Sequence, residues 1–76
     1  MKVEVENNIL EHIANTYYDL TKTERYVADF IMANPEKTQY LSITELSAAC
    51  NTTESTVTRF CKSLGLTGFY ALKLAL

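Results

Sequence analysis

The sequence is short of the residues that break regular structure or build unusual sites. Among its 76 residues it has no tryptophan, one proline, two glycines and one histidine, without a low-complexity segment or an internal repeat. Disordered and repetitive chains are therefore excluded. No apolar run approaches the ~20 residues of a membrane-spanning helix, so no membrane partner is expected. The length predicts one small domain over residues 1–76.

The sequence also lacks the side-chain combinations of enzymes and metal sites. Cys50 and Cys61 form no Cys-x-x-Cys motif and have no histidine nearby, so both are interpreted as small apolar residues kept reduced in the cytoplasm. His12 falls on the polar side of a predicted helix, where a solvated side chain is expected. Without a carboxylate pair, a Cys-His or Ser-His combination or a glycine-rich phosphate loop, no catalytic residue, metal or cofactor is predicted.

Positive charge is scarce, and only the last third of the chain carries a net positive charge. The net charge is −2, which excludes a polybasic nucleic-acid-binding arm. Residues 1–50 contain eight acids and four bases, whereas residues 51–76 contain one acid and three bases. The positive potential is therefore expected around the last third of the chain.

Hydrophobic periodicity predicts an all-α domain of five helices. The first covers about residues 7–18, with apolar residues at spacings of four, four and three. Thr21 and Glu24 form a capping box that begins the second helix, which Asn34-Pro35 ends. Residues 35–37 can form a single helical turn. Residues 38–41 are predicted to be a connector whose Tyr40 and Leu41 turn inward.

The second half of the chain predicts three more helices with clear ends. A second capping box, from Ser42 to Glu45, opens a helix over residues 43–49. Asn51 tolerates positive φ and so permits a tight turn, after which Thr53 caps a helix over about residues 53–64. Gly65 ends that helix in the left-handed conformation. Thr67 is expected to cap the last helix, which extends to residue 76.

The helix over residues 53–64 has two contrasting faces. Its apolar stripe consists of Val57, Phe60, Cys61 and Leu64. The opposite stripe consists of Ser55, Thr58, Arg59 and Lys62. Short hydrogen-bonding side chains and cations suit a helix laid in a DNA major groove. A merely solvated face is the alternative, but serine and threonine are poor helix formers, which favours a role other than stability.

Spacing around this helix satisfies the demands of a helix-turn-helix. Ser47 is a small residue where the second helix crosses the first, Asn51 is the left-handed turn residue, and Val57 is the branched apolar residue that follows. The fold class predicted is a small all-α, homeodomain-like, helix-turn-helix domain.

The chain resembles the N-terminal domain of the RpiR family of bacterial transcription regulators. The similarity covers about residues 20–76 and is carried by the runs LTKTERYVADFI (20–31), NP (34–35), LSITELSAA (41–49) and ESTVTRFCKSLGLTGFYALKLAL (54–76). It departs from the family at Asn51 and Thr52, which replace the usual Gly and Val, and at Thr58, where Val is frequent. Residues 1–19 carry little of the signal.

The resemblance implies DNA binding through the recognition helix. Arg59 is expected to contact a guanine edge or a phosphate, or alternatively to pair with Glu54 or Glu45. Tyr70 is open between core packing, dimerisation and backbone contact. The full set of predicted DNA-binding residues is Thr44, Thr53, Ser55, Thr56, Thr58, Arg59, Lys62 and Lys73.

The expected partners follow from the small number of cations, the composition and the same resemblance. We expect a cytoplasmic homodimer on double-stranded DNA with a two-fold symmetric operator, controlling genes of sugar or sugar-phosphate metabolism. Because the chain stops within a helical pattern, we expect it to be cut from a longer protein whose C-terminal isomerase-like domain, absent here, senses a phosphosugar. The competing function is a helical protein-interaction or dimerisation module, favoured by the acidic first half and the apolar run 72–76.

Overall fold

The computed structural model describes the backbone of residues 4–76 and the side chains of residues 9–76. Residues 1–3 of the predicted domain lie outside this part. The described residues contain no strand and form α1 Glu4–Thr16, a 3-10 turn Tyr17–Asp19, α2 Lys22–Ala33, α3 Pro35–Gln39, α4 Ile43–Ala49, α5 Glu54–Ser63 and α6 Phe69–Ala75. The all-α prediction is confirmed. All five expected helices are present, and the turn expected at 35–37 is a sixth, five-residue helix.

Side-chain caps begin the helices where the sequence predicts them. In both capping boxes the hydroxyl accepts from the glutamate amide and the glutamate carboxylate accepts from the cap amide: Thr21 with Glu24 at 3.3 and 3.1 Å, and Ser42 with Glu45 at 3.0 and 2.8 Å. Such caps satisfy amides that lack a partner in the first turn. They fix where α2 and α4 begin.

Two left-handed residues end α4 and α5 with the same hydrogen-bond pattern. Asn51 has φ 59°, and the amide of Thr52 donates to the Ser47 carbonyl at 2.9 Å. Gly65 has φ 86°, and the amide of Leu66 donates to the Cys61 carbonyl at 3.0 Å. Both are Schellman motifs, which turn the chain sharply at a helix end. The predicted turn at Asn51 and the predicted stop at Gly65 are therefore confirmed.

The core lies around α5, which packs against α2, α4 and α6. The fully buried apolar side chains come from five helices and are Ile13, Val27, Ala28, Ile31, Leu46, Val57, Phe60, Cys61 and Leu72. Each large one contributes about 1.5–3 kcal/mol. Within residues 4–76 no helix combines the length and the hydropathy required to span a membrane.

The connector between α3 and α4 differs from the prediction. Tyr40 is 83% exposed, while Leu41 packs against the core as expected. Because α3 stays helical to Gln39, the helical rotation brings Thr38 inward instead, and its hydroxyl donates to the Asn34 carbonyl at 2.7 Å. The cap predicted at Thr67 is also wrong. Gly68 occupies the N-cap of α6 in an extended conformation, and no side chain caps that helix.

The N-terminal part is joined to the domain by two polar side chains. Arg25 on α2 donates to the carbonyls of Tyr17 and Tyr18, each at 3.2 Å, and its guanidinium lies 5.5 and 5.7 Å from their ring centroids. His12 Nε2 lies 2.8 Å from the Leu64 carbonyl oxygen at the end of α5. Because a carbonyl only accepts, Nε2 must carry the proton. The prediction of a solvated His12 side chain is therefore wrong, because the ring is hydrogen-bonded to α5.

Candidate nucleic-acid interface

α4 and α5 form the predicted helix-turn-helix. Ser47 is buried on α4, the helix that packs against α5, and its hydroxyl donates to the Thr44 carbonyl at 3.0 Å. Asn51 makes the left-handed turn, and Val57 on α5 is fully buried. The left-handed turn at Asn51 is as predicted, and the burial of Ser47 and Val57 agrees with the helix-turn-helix pattern.

α5 separates into a buried face and an outward face. Val57, Phe60, Cys61 and Leu64 belong to the core. Ser55, Arg59 and Lys62 are exposed, and Thr58 is half-buried. Since residues three and four apart share a helix face, the outward side chains form one continuous surface. This surface carries two cations, a serine and a threonine.

The start of α5 contains a chain of hydroxyl groups that leads to Arg59. Thr53 is the exposed N-cap, and its Oγ1 accepts from the amide of Thr56 at 3.2 Å. The two threonine hydroxyl oxygens lie 3.1 Å apart. An Nη2 group of Arg59 donates to Thr56 Oγ1 at 3.3 Å. Thr56 is only 4% exposed, so its side chain faces into the domain and not outward toward a base.

The carboxylates considered as partners for Arg59 are bonded elsewhere. Glu54 Oε2 accepts from the Thr44 hydroxyl at 2.6 Å, which joins the first turns of α4 and α5. Glu45 Oε1 accepts from the Ser42 amide. Arg59 therefore has a threonine hydroxyl as its hydrogen-bond partner. Because the Thr44 hydroxyl donates to Glu54, the phosphate contact predicted for Thr44 is one that its backbone amide would make.

Lys73 and Tyr70 lie on α6, outside the hydrogen-bonded group at the start of α5. The Lys73 ammonium is 5.3 Å from the ring centroid of Phe69 on its own helix, a cation–π arrangement. Tyr70 is 75% exposed, which excludes the core-packing alternative for it.

The two thiols belong to the core. Cys50 and Cys61 are free and buried, and burial raises the pKa of each from 9.0 to about 11. At neutral pH both are therefore protonated, and neither is an activated nucleophile. Among the described residues no group of three or more His, Cys, Asp and Glu side chains is placed to hold a metal ion.

Two contacts of this site were missed from the sequence. The inward orientation of Thr56 could have been predicted from the sequence, because it lies three residues after the N-cap, where a capping box places its second side chain. A threonine there is too short to reach the cap amide, so its hydroxyl meets the Thr53 hydroxyl instead. The Thr44–Glu54 bond joins residues ten apart on two helices. It depends on how α4 and α5 cross.

Known proteins share both the sequence and the fold. A profile of the helix-turn-helix domain of the rpiR family matches residues 7–76. The chain is 42% identical over 69 residues to the HTH-type transcriptional regulator HexR of Pseudomonas aeruginosa, and 41% identical over 69 residues to HexR of Escherichia coli K12. Each alignment covers 91% of this chain and 24% of the relative. The chain thus spans about a quarter of the length of these curated relatives.

A solved structure supports the same assignment. The N-terminal domain of ybbH from Bacillus subtilis, described as a transcriptional regulator, superposes with a TM-score of 0.82 at 42% identity. The superposition covers 86% of this chain and 79% of that one. These relatives are named as transcriptional regulators. The chain belongs to the rpiR family of helix-turn-helix transcriptional regulators, and it corresponds to their helix-turn-helix domain.

Proposed function

We propose that this domain binds specific DNA sequences by laying α5 in the major groove. The observation that carries the proposal is the outward face of α5, where Ser55, Thr58, Arg59 and Lys62 stand opposite a fully buried stripe. Four donors of different reach on one helix face match the edges that the major groove presents. The one acid of the segment, Glu54, is held by Thr44.

Each outward side chain has a role that follows from its chemistry. Arg59 presents its guanidinium fork to a guanine edge, since one N–H bonds Thr56 and the others are left to donate. Lys62, a compact cation one turn further on, contacts a phosphate. Ser55 and Thr58 reach base edges, and the threonine methyl suits a thymine methyl. Thr53 donates to a phosphate at the start of the helix, and Lys73 adds a backbone contact from α6.

We expect Arg59→Ala to lower affinity for the preferred duplex by about 1–3 kcal/mol without loss of helicity. The reason is that a bidentate contact to guanine has no substitute on this face. Sequences bound by the 76-residue chain are first selected from a random duplex library. Fluorescence anisotropy on the selected duplex at fixed salt then compares Arg59→Ala with Lys22→Ala, which removes one cation from α2, outside the interface.

Unchanged affinity in Arg59→Ala would remove Arg59 from the interface. Equal losses in Arg59→Ala and Lys22→Ala would mean that the domain responds to net charge alone. Circular dichroism of both variants controls for folding.

The working unit we propose is a homodimer on a two-fold operator. A single domain brings only three cations in residues 51–76, too few for tight binding at physiological salt. Two domains on half-sites about 34 Å apart would double that number on one face of the duplex. The selected sequences test this directly: inverted repeats with that spacing support it, and single unpaired half-sites count against it.

The wider role we propose is control of sugar or sugar-phosphate genes in the cytoplasm of a bacterium. Its support is the family assignment and the fact that the chain matches only about a quarter of its relatives' length. A regulator carrying this chain with a C-terminal phosphosugar-sensing domain should change its DNA affinity when sugar phosphates are added. Anisotropy that stays constant across a panel of sugar phosphates would argue against the proposal.

The competing role is a protein-interaction module. The observation in its favour is a set of exposed large apolar side chains: Tyr18, Tyr40, Tyr70 and Leu74. Binding of random duplex DNA at low ionic strength separates the two, because an interaction module would show no salt-dependent binding.

A further inference from the structure

We propose that Thr56 is a positioning residue, which orients Arg59 and couples it to Thr53 without touching DNA itself. The inference rests on the proposed DNA-binding function. The sequence predicts that Thr56 contacts DNA, whereas we propose that it acts through Arg59 and Thr53. Three observations carry it: the burial of Thr56, the hydroxyl contact to Thr53 and the hydrogen bond from Arg59.

The donors fix the direction of two hydrogen bonds in this chain of groups, those from the Arg59 guanidinium and from the Thr56 amide. A guanidinium only donates, so Thr56 Oγ1 accepts from Arg59 at 3.3 Å. Between the two hydroxyl groups, 3.1 Å apart, we assign Thr56 as the donor, because its side chain is buried and its proton needs an acceptor within the protein. Thr53 Oγ1 already accepts from the Thr56 amide at 3.2 Å, so it accepts twice. In this assignment the proton of Thr53, an exposed residue, is left to donate outside the pair.

This arrangement prepares two donors for DNA at once. Thr53 is exposed, and its hydroxyl proton suits a phosphate oxygen. Arg59 is exposed as well, but one of its five N–H groups is fixed on a buried oxygen. A guanidinium anchored at one corner loses less rotamer entropy when it binds a base edge. Thr56 thus sets the angle between the phosphate contact and the base contact.

A purely structural role for Thr56 makes different predictions. The helix cap uses the Thr56 amide and the Thr53 hydroxyl, so both partners survive replacement of the Thr56 side chain. Valine has nearly the shape of threonine and lacks only the hydroxyl. Thr56→Val should therefore fold, whereas a role confined to packing would leave DNA binding unchanged.

The test is a double-mutant cycle between Thr56 and Arg59. Binding of the 76-residue chain is measured by anisotropy on the duplex that the unmodified chain selects from a random library. We expect Thr56→Val to weaken binding about two- to tenfold, and Thr56→Ser, which keeps the hydroxyl, to bind close to normally. In the Arg59→Ala background Thr56→Val should have a clearly smaller effect, because only the coupling to Thr53 is then left to lose.

A second readout does not require DNA. The ¹⁵N relaxation of the Arg59 guanidinium should show greater mobility in Thr56→Val and normal mobility in Thr56→Ser. Thr56→Ala supplies another hydroxyl-free variant should valine disturb folding. Helicity and thermal midpoint are measured for each variant as controls.

Two results would overturn the inference. One is an equal loss of affinity from Thr56→Val with and without Arg59, and the other is no change in either affinity or guanidinium mobility. A different result concerns the proposed function itself: failure of the unmodified chain to bind any duplex would overturn DNA binding, and the inference with it.

Discussion

Each buried polar side chain in the described part of this domain has its own hydrogen-bond partner. Within the described residues every buried side-chain nitrogen and oxygen has a hydrogen-bond partner. Glu24 caps α2, Thr38 bonds the Asn34 carbonyl, and Thr56 accepts from Arg59. Because an unpaired buried polar group costs about 1–3 kcal/mol, each of these contacts constrains which substitutions the position accepts.

The two buried thiols are expected to make the domain less stable as the pH rises through the alkaline range. Each thiol pKa rises from 9.0 to about 11, so the folded chain keeps protons that the unfolded chain releases. This stabilisation is fully present below pH 9 and is lost between about pH 9 and pH 11. We expect the free energy of unfolding to fall by about 1–2 kcal/mol per thiol over that range, measured by urea titration.

The control is the double variant Cys50→Ala/Cys61→Ala. It should be less stable at pH 8 because of the lost packing, and its stability should decline less steeply toward pH 10.5. The two proteins differ only at these two positions, so the difference between their slopes reports on the thiols. Parallel declines would show that the thiols are not the cause.

The helices of this domain begin and end at residues that favour helix ends through capping hydrogen bonds or backbone conformation. Capping boxes, an N-cap threonine, a proline and two left-handed residues mark most of the boundaries. Gly65 and Gly68 flank the segment between α5 and α6, yet they differ in conformation: Gly65 has φ 86°, and Gly68 is extended at φ 173°. A Cβ added at either position would meet nothing within 4 Å. Any difference between them therefore reflects the backbone.

We expect Gly65→Ser to destabilise the domain by about 1–2 kcal/mol, because an L side chain is strained at this positive φ. Gly68→Ser should be neutral or stabilising by a few tenths of a kcal/mol, since serine is favoured at an N-cap. Thermal and urea unfolding of the two variants provide the comparison. Equal effects would contradict the assignment of Gly65 as a conformational requirement.

The elements were largely predictable from the sequence, because caps and periodicity act over a few neighbouring residues. The Thr21–Glu24 box and the turn at Asn51 are examples. The predictions that were wrong or missing concern the exact length of a helix or the packing of two helices against each other. Tyr40 was expected inside because α3 was not expected to reach Gln39. The Thr44–Glu54 and His12–Leu64 bonds require the packing of separate helices.

The candidate site was predicted in part. The outward positions of Ser55, Arg59 and Lys62 follow from the helical period once α5 is recognised. Thr56 shares their polarity but lies on the buried side, and a polar residue near an apolar stripe does not reveal by periodicity alone which way it faces. The hydroxyl contact with Thr53 fixes the inward orientation of the Thr56 side chain.

At the scale of the whole molecule, charge is divided between the two halves of the chain. The acidic first fifty residues supply α1 to α4, and the residues from 51 onward supply α5 and α6 with a net positive charge. Repulsion between DNA and the acidic half favours one docking orientation, with α5 toward the duplex. Steering by a few cations on one face is salt-dependent.

The dependence of random-duplex binding on salt tests the central claim most directly. On random DNA, where Arg59 contacts a phosphate like Lys62 and Lys73, the logarithm of the association constant should fall with the logarithm of salt concentration with a slope of about −2 to −3. Lys62→Ala should make that slope shallower by about 1, and Lys22→Ala on α2 should leave it unchanged. Absence of binding at low salt, or equal slopes in the two variants, would contradict DNA binding through the outward face of α5.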